Sequence, residues 1–173
     1  MSDTDLPPDF VDDVRAAWTR ERPDLDVTTQ GVFGRLSRVA LRVTDELVAV
    51  YRQHGLAEGD FDVLATLRRA GEPYAYSAGE LAEHTLVTSG GMTKRVDRLE
   101  AAGLVRRRVS ETDGRGRVVE LTDRGREVID AAFTDHIANQ HRLLALLDPG
   151  DADLLEDVLR RWLARLEDLP SPR

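Results

Sequence analysis

TSGGMTKRVDRLEAAGLVRRRVSETDGRGRVVELTDRG, Thr88 to Gly125, carries a helix pattern, a turn and two strand patterns in one run. Met92, Val96 and Leu99 recur at helical spacing, so the chain from about Ser89 to Ala102 reads as a helix with one apolar stripe. Gly103 is placed to end it. LVRRRV and RVVELT follow as strands joined by the polar turn ETDGRG, which makes a β-hairpin directly after the helix. Upstream, SAGELAEHT supplies a shorter helix, with Ser77 and Glu80 spaced as a capping box. Two short helices, a tight turn and a hairpin together predict a winged helix-turn-helix. Such a fold lays its second helix in the major groove of DNA, which is wide enough for one helix. The expected DNA contacts are Thr88, Ser89, Thr93 and Lys94, with Arg98 one turn on. Arg115, beside Asp113 at the hairpin tip, is expected in the narrow, negative minor groove. Gly90 and Gly91 open the helix although each costs roughly 1 kcal/mol against alanine, as suits a backbone that approaches DNA closely.

Charge supports an oriented contact. The 173-residue chain has a formal net charge of −8, which by itself disfavours phosphate. From Lys94 to Arg117, however, eight Lys/Arg stand against four Asp/Glu, a local balance of +4 that leaves −12 on the rest. A basic island in an acidic body directs one face to DNA and repels the others. There is no cysteine, so disulfides, thiolate metal sites and thiol redox sensing are excluded. His136 and His141 are five apart, poor spacing for two ligands on one helix face, so no metal site is expected. No stretch approaches the ~20 apolar residues of a membrane span. The acidic MSDTDLPPDFVDDV lacks the pattern of a signal peptide, so a cytoplasmic location is expected.

The remaining chain reads as helices. Residues 7–21 carry Phe10, Val11, Val14, Ala17 and Trp18 on one stripe. Residues 29–54 form a long helix that Gly55 stops, and 58–70 a third with Phe61, Leu64 and Leu67 inward. GEPYAYS reads as a break. Thr122 caps a long helix from 123 to about 147, and Asp148 and Pro149 read as the cap and first residue of a last helix. The expected fold is mainly α with a small β-wing. Residues 58–122 would form the winged helix-turn-helix between outer parts 1–57 and 123–173.

The chain resembles the MarR family of transcriptional regulators. The resemblance rests on Arg95, Leu99, Glu100, Gly103, Leu104 and Val105 in R-x-x-x-L-E-x-x-G-L-V, on Asp113 and Arg115 at the wing tip, and on Leu121, Thr122 and Gly125 in L-T-x-x-G. It implies a homodimer that presents two recognition helices to a pseudo-palindromic operator, with repression as the common habit. It also implies that both outer parts, 1–57 and 123–173, serve dimerisation, and 1–57 ligand binding as well. WTRERPDLD (Trp18 to Asp26) and SGGMTKRVDRLE (Ser89 to Glu100) are similar to the urate-responsive branch. That resemblance implies a ligand site of Trp18, Asp62, Arg95 and Arg107, in which a planar anion stacks on Trp18 and binds Arg95. The same residues suit plainer roles: Trp18 as a packing anchor, Asp62 as a helix-start partner, Arg95 and Arg107 as phosphate contacts. A sensor of phenolic or aromatic acids and a ligand-independent DNA-binding protein are the alternatives. No nucleophile motif, no phosphate-binding glycine loop after a strand and no pair of carboxylates placed by a scaffold is present, so no enzyme and no cofactor is expected.

Overall fold

The structure is a computed structural model that describes residues 7–85, 89–109 and 117–170. In chain order the elements are α1 (Phe10–Glu21), α2 (Gln30–Gln53), α3 (Glu58–Arg69), β1 (Ala75–Ser77), α4 (Ala78–Thr85), α5 (Ser89–Ala101), β2 (Val105–Val109), β3 (Arg117–Leu121), α6 (Asp123–Leu144) and α7 (Asp151–Glu167). The expected mainly helical fold with a small β-wing is what the structure shows. Compactness divides the chain once, inside α2, into Met1–Glu46 and Leu47–Arg173. The three-part division expected from the sequence is one of proposed roles, not of compact units.

In the first unit, α1 starts at Phe10 because Asp9, after the two prolines, is its cap. The Asp9 carboxylate accepts the Val11 and Asp12 N–H groups at 2.8 and 3.1 Å, and Asp12 accepts the Asp9 N–H at 3.1 Å. This reciprocal box satisfies three orphan donors of the first turn. Arg35 of α2 clamps both carboxylates, at 2.9 Å to Asp9 and 2.8 Å to Asp12. Val11 is buried against α2 where Gly34 has no side chain; a Cβ there would stand 2.8 Å from a Val11 methyl.

The second unit holds the main core. Phe61, Leu64 and Leu67 of α3 meet Leu81 of α4, the stripe Met92, Val96 and Leu99 of α5, and Ile129 and Ala132 of α6. The sheet order is β1-β3-β2, antiparallel throughout, with Val105 opposite Leu121 and Arg107 opposite Val119. β1 is a finding against the reading of GEPYAYS as a break. Ala75, Tyr76 and Ser77 pair with Glu120, Val119 and Val118, so part of that segment is a third strand. The start of α7 is a second correction. Its cap is Gly150, with φ of 89°, and the helix begins at Asp151 rather than Pro149. Residues 148–150 form a turn in which Asp151 N–H reaches the Asp148 carbonyl. No helix among the described residues is long and apolar enough to cross a membrane.

Candidate functional site

α4 and α5 are the two helices of the motif. α4 is capped as its sequence predicts: Ser77 Oγ accepts the Glu80 N–H at 3.2 Å, and the Glu80 carboxylate accepts the Ser77 N–H at 2.7 Å. That bonding holds the Glu80 carboxyl below its ordinary value. α5 then buries Met92, Val96 and Leu99, and this sets what it presents outward: Thr93, Lys94, Asp97 and Arg98 are exposed. Ser89 opens the helix. Its side chain, Thr88, Asp113 and Arg115 lie outside the described residues.

Much of the basic island is paired with acids. Arg106 reaches Glu120 at 2.7 Å, and Arg108 pairs with the same carboxylate from two residues on. Arg107 bonds Asp97 at 2.5 Å and also pairs with Glu100, which ties β2 to α5. Arg98 is the least expected. Its Nε and Nη2 donate to Asp60 at 3.0 and 2.5 Å. The Asp60 side chain is only 5% exposed, whereas that of Arg98 is 55% exposed. Spacing alone had pointed Arg98 at DNA; a carboxylate 38 residues away in sequence was not visible there.

Arg95, one turn earlier, turns towards α3. Gly59 makes the room, since a Cβ at that position would overlap the Arg95 guanidinium. Its Nη1 is buried with no hydrogen-bond partner among the described residues. Asp62 lies one turn into α3 and is exposed. Burial pushes its carboxyl up from the ordinary value and Glu58 adds to this, against the pull of Arg95 and Arg69. Asp62 and Arg95 are thus brought into one electrostatic neighbourhood. Arg107 is engaged elsewhere, with Asp97 and Glu100. Trp18 belongs to the first unit and is 49% exposed.

Asp62 also lines an open cleft of about 410 Å³ with Tyr51, Phe61, Arg69, Phe133 and His136 among its walls. Tyr51 and Phe61 stack with centroids 4.0 Å apart, and Phe133 lies 5.8 Å from His136. Tyr51 Oη and His136 Nδ1 share a hydrogen bond at 3.1 Å. Burial pushes the Tyr51 phenol up to about 12, with Asp62 and Glu58 adding, and holds the His136 imidazole below its ordinary value. Sequence reasoning weighed His136 only as a metal ligand and passed over Tyr51. Their meeting depends on tertiary contact across 85 positions, for which no local pattern exists.

Comparison with known proteins agrees with this architecture. The pattern of the MarR family matches residues 54–116. The transcriptional regulator PecS of Dickeya dadantii is 38% identical over 151 residues, 87% of this chain and 91% of its own. Sco3205, a MarR family regulator of Streptomyces coelicolor solved in complex with DNA, superposes with a TM-score of 0.70. It is 27% identical over 84% of this chain and 97% of its own. The MarR family protein Rv2887 of Mycobacterium tuberculosis, solved with salicylic acid, gives a TM-score of 0.58. It is 31% identical over 73% of this chain and 92% of its own. A helix-turn-helix with its wing, and a relative of this identity over nearly the whole chain, lead to one conclusion: the chain belongs to the MarR family of DNA-binding, winged helix-turn-helix transcriptional regulators.

Proposed function

We propose that the protein is a homodimeric repressor that binds a pseudo-palindromic operator and is released by a small planar anion of the urate type. It acts by binding, not by catalysis. Thr88, Ser89, Thr93 and Lys94 are the proposed major-groove readers and Arg115 the minor-groove contact. Thr93 and Lys94 stand outward on α5, as a reader must. The observation that carries the ligand reading is Arg95. A buried guanidinium nitrogen without an acceptor among the described residues is a place where an anionic oxygen would supply the missing hydrogen bond. Trp18 as the stacking face and Arg107 as the partner that Asp62 engages after ligand entry come from the resemblance to the urate-responsive branch. The ligand would bring a second negative charge to Asp62, and its displacement would bias the recognition helix by a coupling of about 1–3 kcal/mol.

The test is a thermal-shift screen with urate, xanthine, aconitate and salicylate, repeated with DNA present. A binder raises the melting temperature by linkage. The same compound should release DNA from the wild type but not from Trp18→Ala or Arg95→Ala. Undiminished release from both variants would sink the site. The salicylic acid complex of Rv2887 favours a second reading, an aromatic carboxylate in place of urate. Preference for salicylate over urate in the screen would select it. DNA binding itself should weaken steeply as salt rises, because phosphate contacts release counterions.

A further inference from the structure

The first turn of α3 meets α5 through two arginines spaced three apart, Arg95 and Arg98. Neither contact is generic. Asp60 is almost wholly buried, accepts the Ala57 N–H at 3.2 Å, and receives the Arg98 fork at 3.0 and 2.5 Å. A buried carboxylate needs such a partner, because an uncompensated buried charge is strongly disfavoured. One residue earlier, the missing side chain of Gly59 is the space into which the Arg95 guanidinium fits. A fork with two bonds fixes an angle as well as a distance, which a single ammonium contact would not. The two contacts therefore set both the roll and the height of α5 against α3.

We infer that Asp60 and Gly59 are positioning residues for the recognition helix, and that Arg98 acts on DNA binding through Asp60 rather than through the phosphate backbone. The inference rests on α5 being the DNA-reading helix and is independent of any effector.

The experiment uses full-length protein without ligand and a duplex enriched from a random pool by the wild type. Affinity is titrated across salt concentrations for Asp60→Asn, Arg98→Gln, their double variant, Arg98→Lys and Gly59→Ala, with folding of each followed by circular dichroism. Positioning predicts that Asp60→Asn and Arg98→Gln each weaken operator binding by about tenfold or more, that the double variant is no weaker than the worse single one, and that the salt slope stays at the wild-type value. Arg98→Lys, which keeps the charge without the fork, then behaves like Arg98→Gln, and Gly59→Ala weakens binding by displacing Arg95. A drop of about one in the salt slope for Arg98→Gln, with Arg98→Lys behaving as wild type, makes Arg98 a phosphate contact and overturns the inference. Wild-type affinity in Asp60→Asn or in Gly59→Ala overturns it too. Should Asp60→Asn fold poorly, the comparison of Arg98→Gln with Arg98→Lys decides. Lys94→Ala is the control for the reading beneath: if it leaves affinity unchanged, α5 as reader fails, whereas a loss there with wild-type behaviour at Asp60 fails the positioning role alone.

Discussion

Asp62 and His136 line one cleft, and burial displaces them in opposite directions, the carboxyl up and the imidazole down. Asp62 has its carboxyl raised, so the native protein holds that proton more tightly than the unfolded chain does. Ionisation at Asp62 therefore opposes folding as pH rises through and above the ordinary value of 3.8. Asp62→Asn should raise the melting temperature at pH 7, with a gain that shrinks towards pH 4. The gain is small, because Asp62 is an exposed residue whose interactions solvent screens. His136 has the reverse sign. Its depressed pKa means that the unfolded chain takes up a proton more readily, so its contribution is complete above about 6.5 and is lost as pH falls. His136→Gln, which keeps a polar neighbour for Tyr51 but cannot protonate, should flatten the fall in melting temperature between pH 7.5 and 5.5. Thermal melts across that range check both; an unchanged slope in His136→Gln would place the acid sensitivity elsewhere.

The junction from wing to α6 shows at the level of elements how few residues hold the motif together. Thr122 accepts the Gly125 N–H at 3.0 Å and donates its hydroxyl to the Gly103 carbonyl at 2.8 Å, so one side chain caps α6 and pins the end of α5. Thr122→Ala should cost about 1 kcal/mol, within the range for lost caps. Gly125→Ala should cost more, since its Cβ would drive into the Leu104 carbonyl, a backbone group that cannot rotate away. Chemical denaturation of the two variants against wild type tests the order. The cap was legible in the sequence because it is local, three residues from its donor, whereas the contacts with Gly103, 19 positions away, and with the Leu104 carbonyl needed the fold. The capping boxes of α1 and α4 depend on the same short range, although that of α1 is made by Asp9 and starts the helix later than the prolines suggested. β1 was not legible, because three residues are too few for a period of two to show, and their strand character comes from pairing with β3. The Asp60–Arg98 pair was hidden for a related reason. Spacing on a basic helix reads Arg98 as a DNA contact, and only the fold adds its carboxylate partner, Asp60.

The exposure of α7 bears on the state in which the whole molecule works. None of its residues is buried, yet Leu154, Leu155, Val158, Leu159, Leu163 and Leu166 leave an apolar face open along the helix. An apolar face of that extent marks an interaction surface in a monomeric chain, and the proposed homodimer is its natural occupant. Two-fold pairing would also put two recognition helices on one side of a DNA duplex, one helical turn apart. Replacing Leu159 and Leu163 with Asp places two charges on that face while leaving the α3–α5–α6 core untouched. The expected result is a halved mass in light scattering, a circular dichroism spectrum that stays helical, and a melting temperature that no longer depends on protein concentration. Operator binding should then weaken by orders of magnitude, because one half-site carries about half of the phosphate contacts, and the salt slope should fall towards half of its wild-type value. A variant that keeps wild-type mass and wild-type slope would move the interface off α7. One that keeps its mass but loses affinity would show instead that α7 acts on the DNA-reading helix without joining two chains.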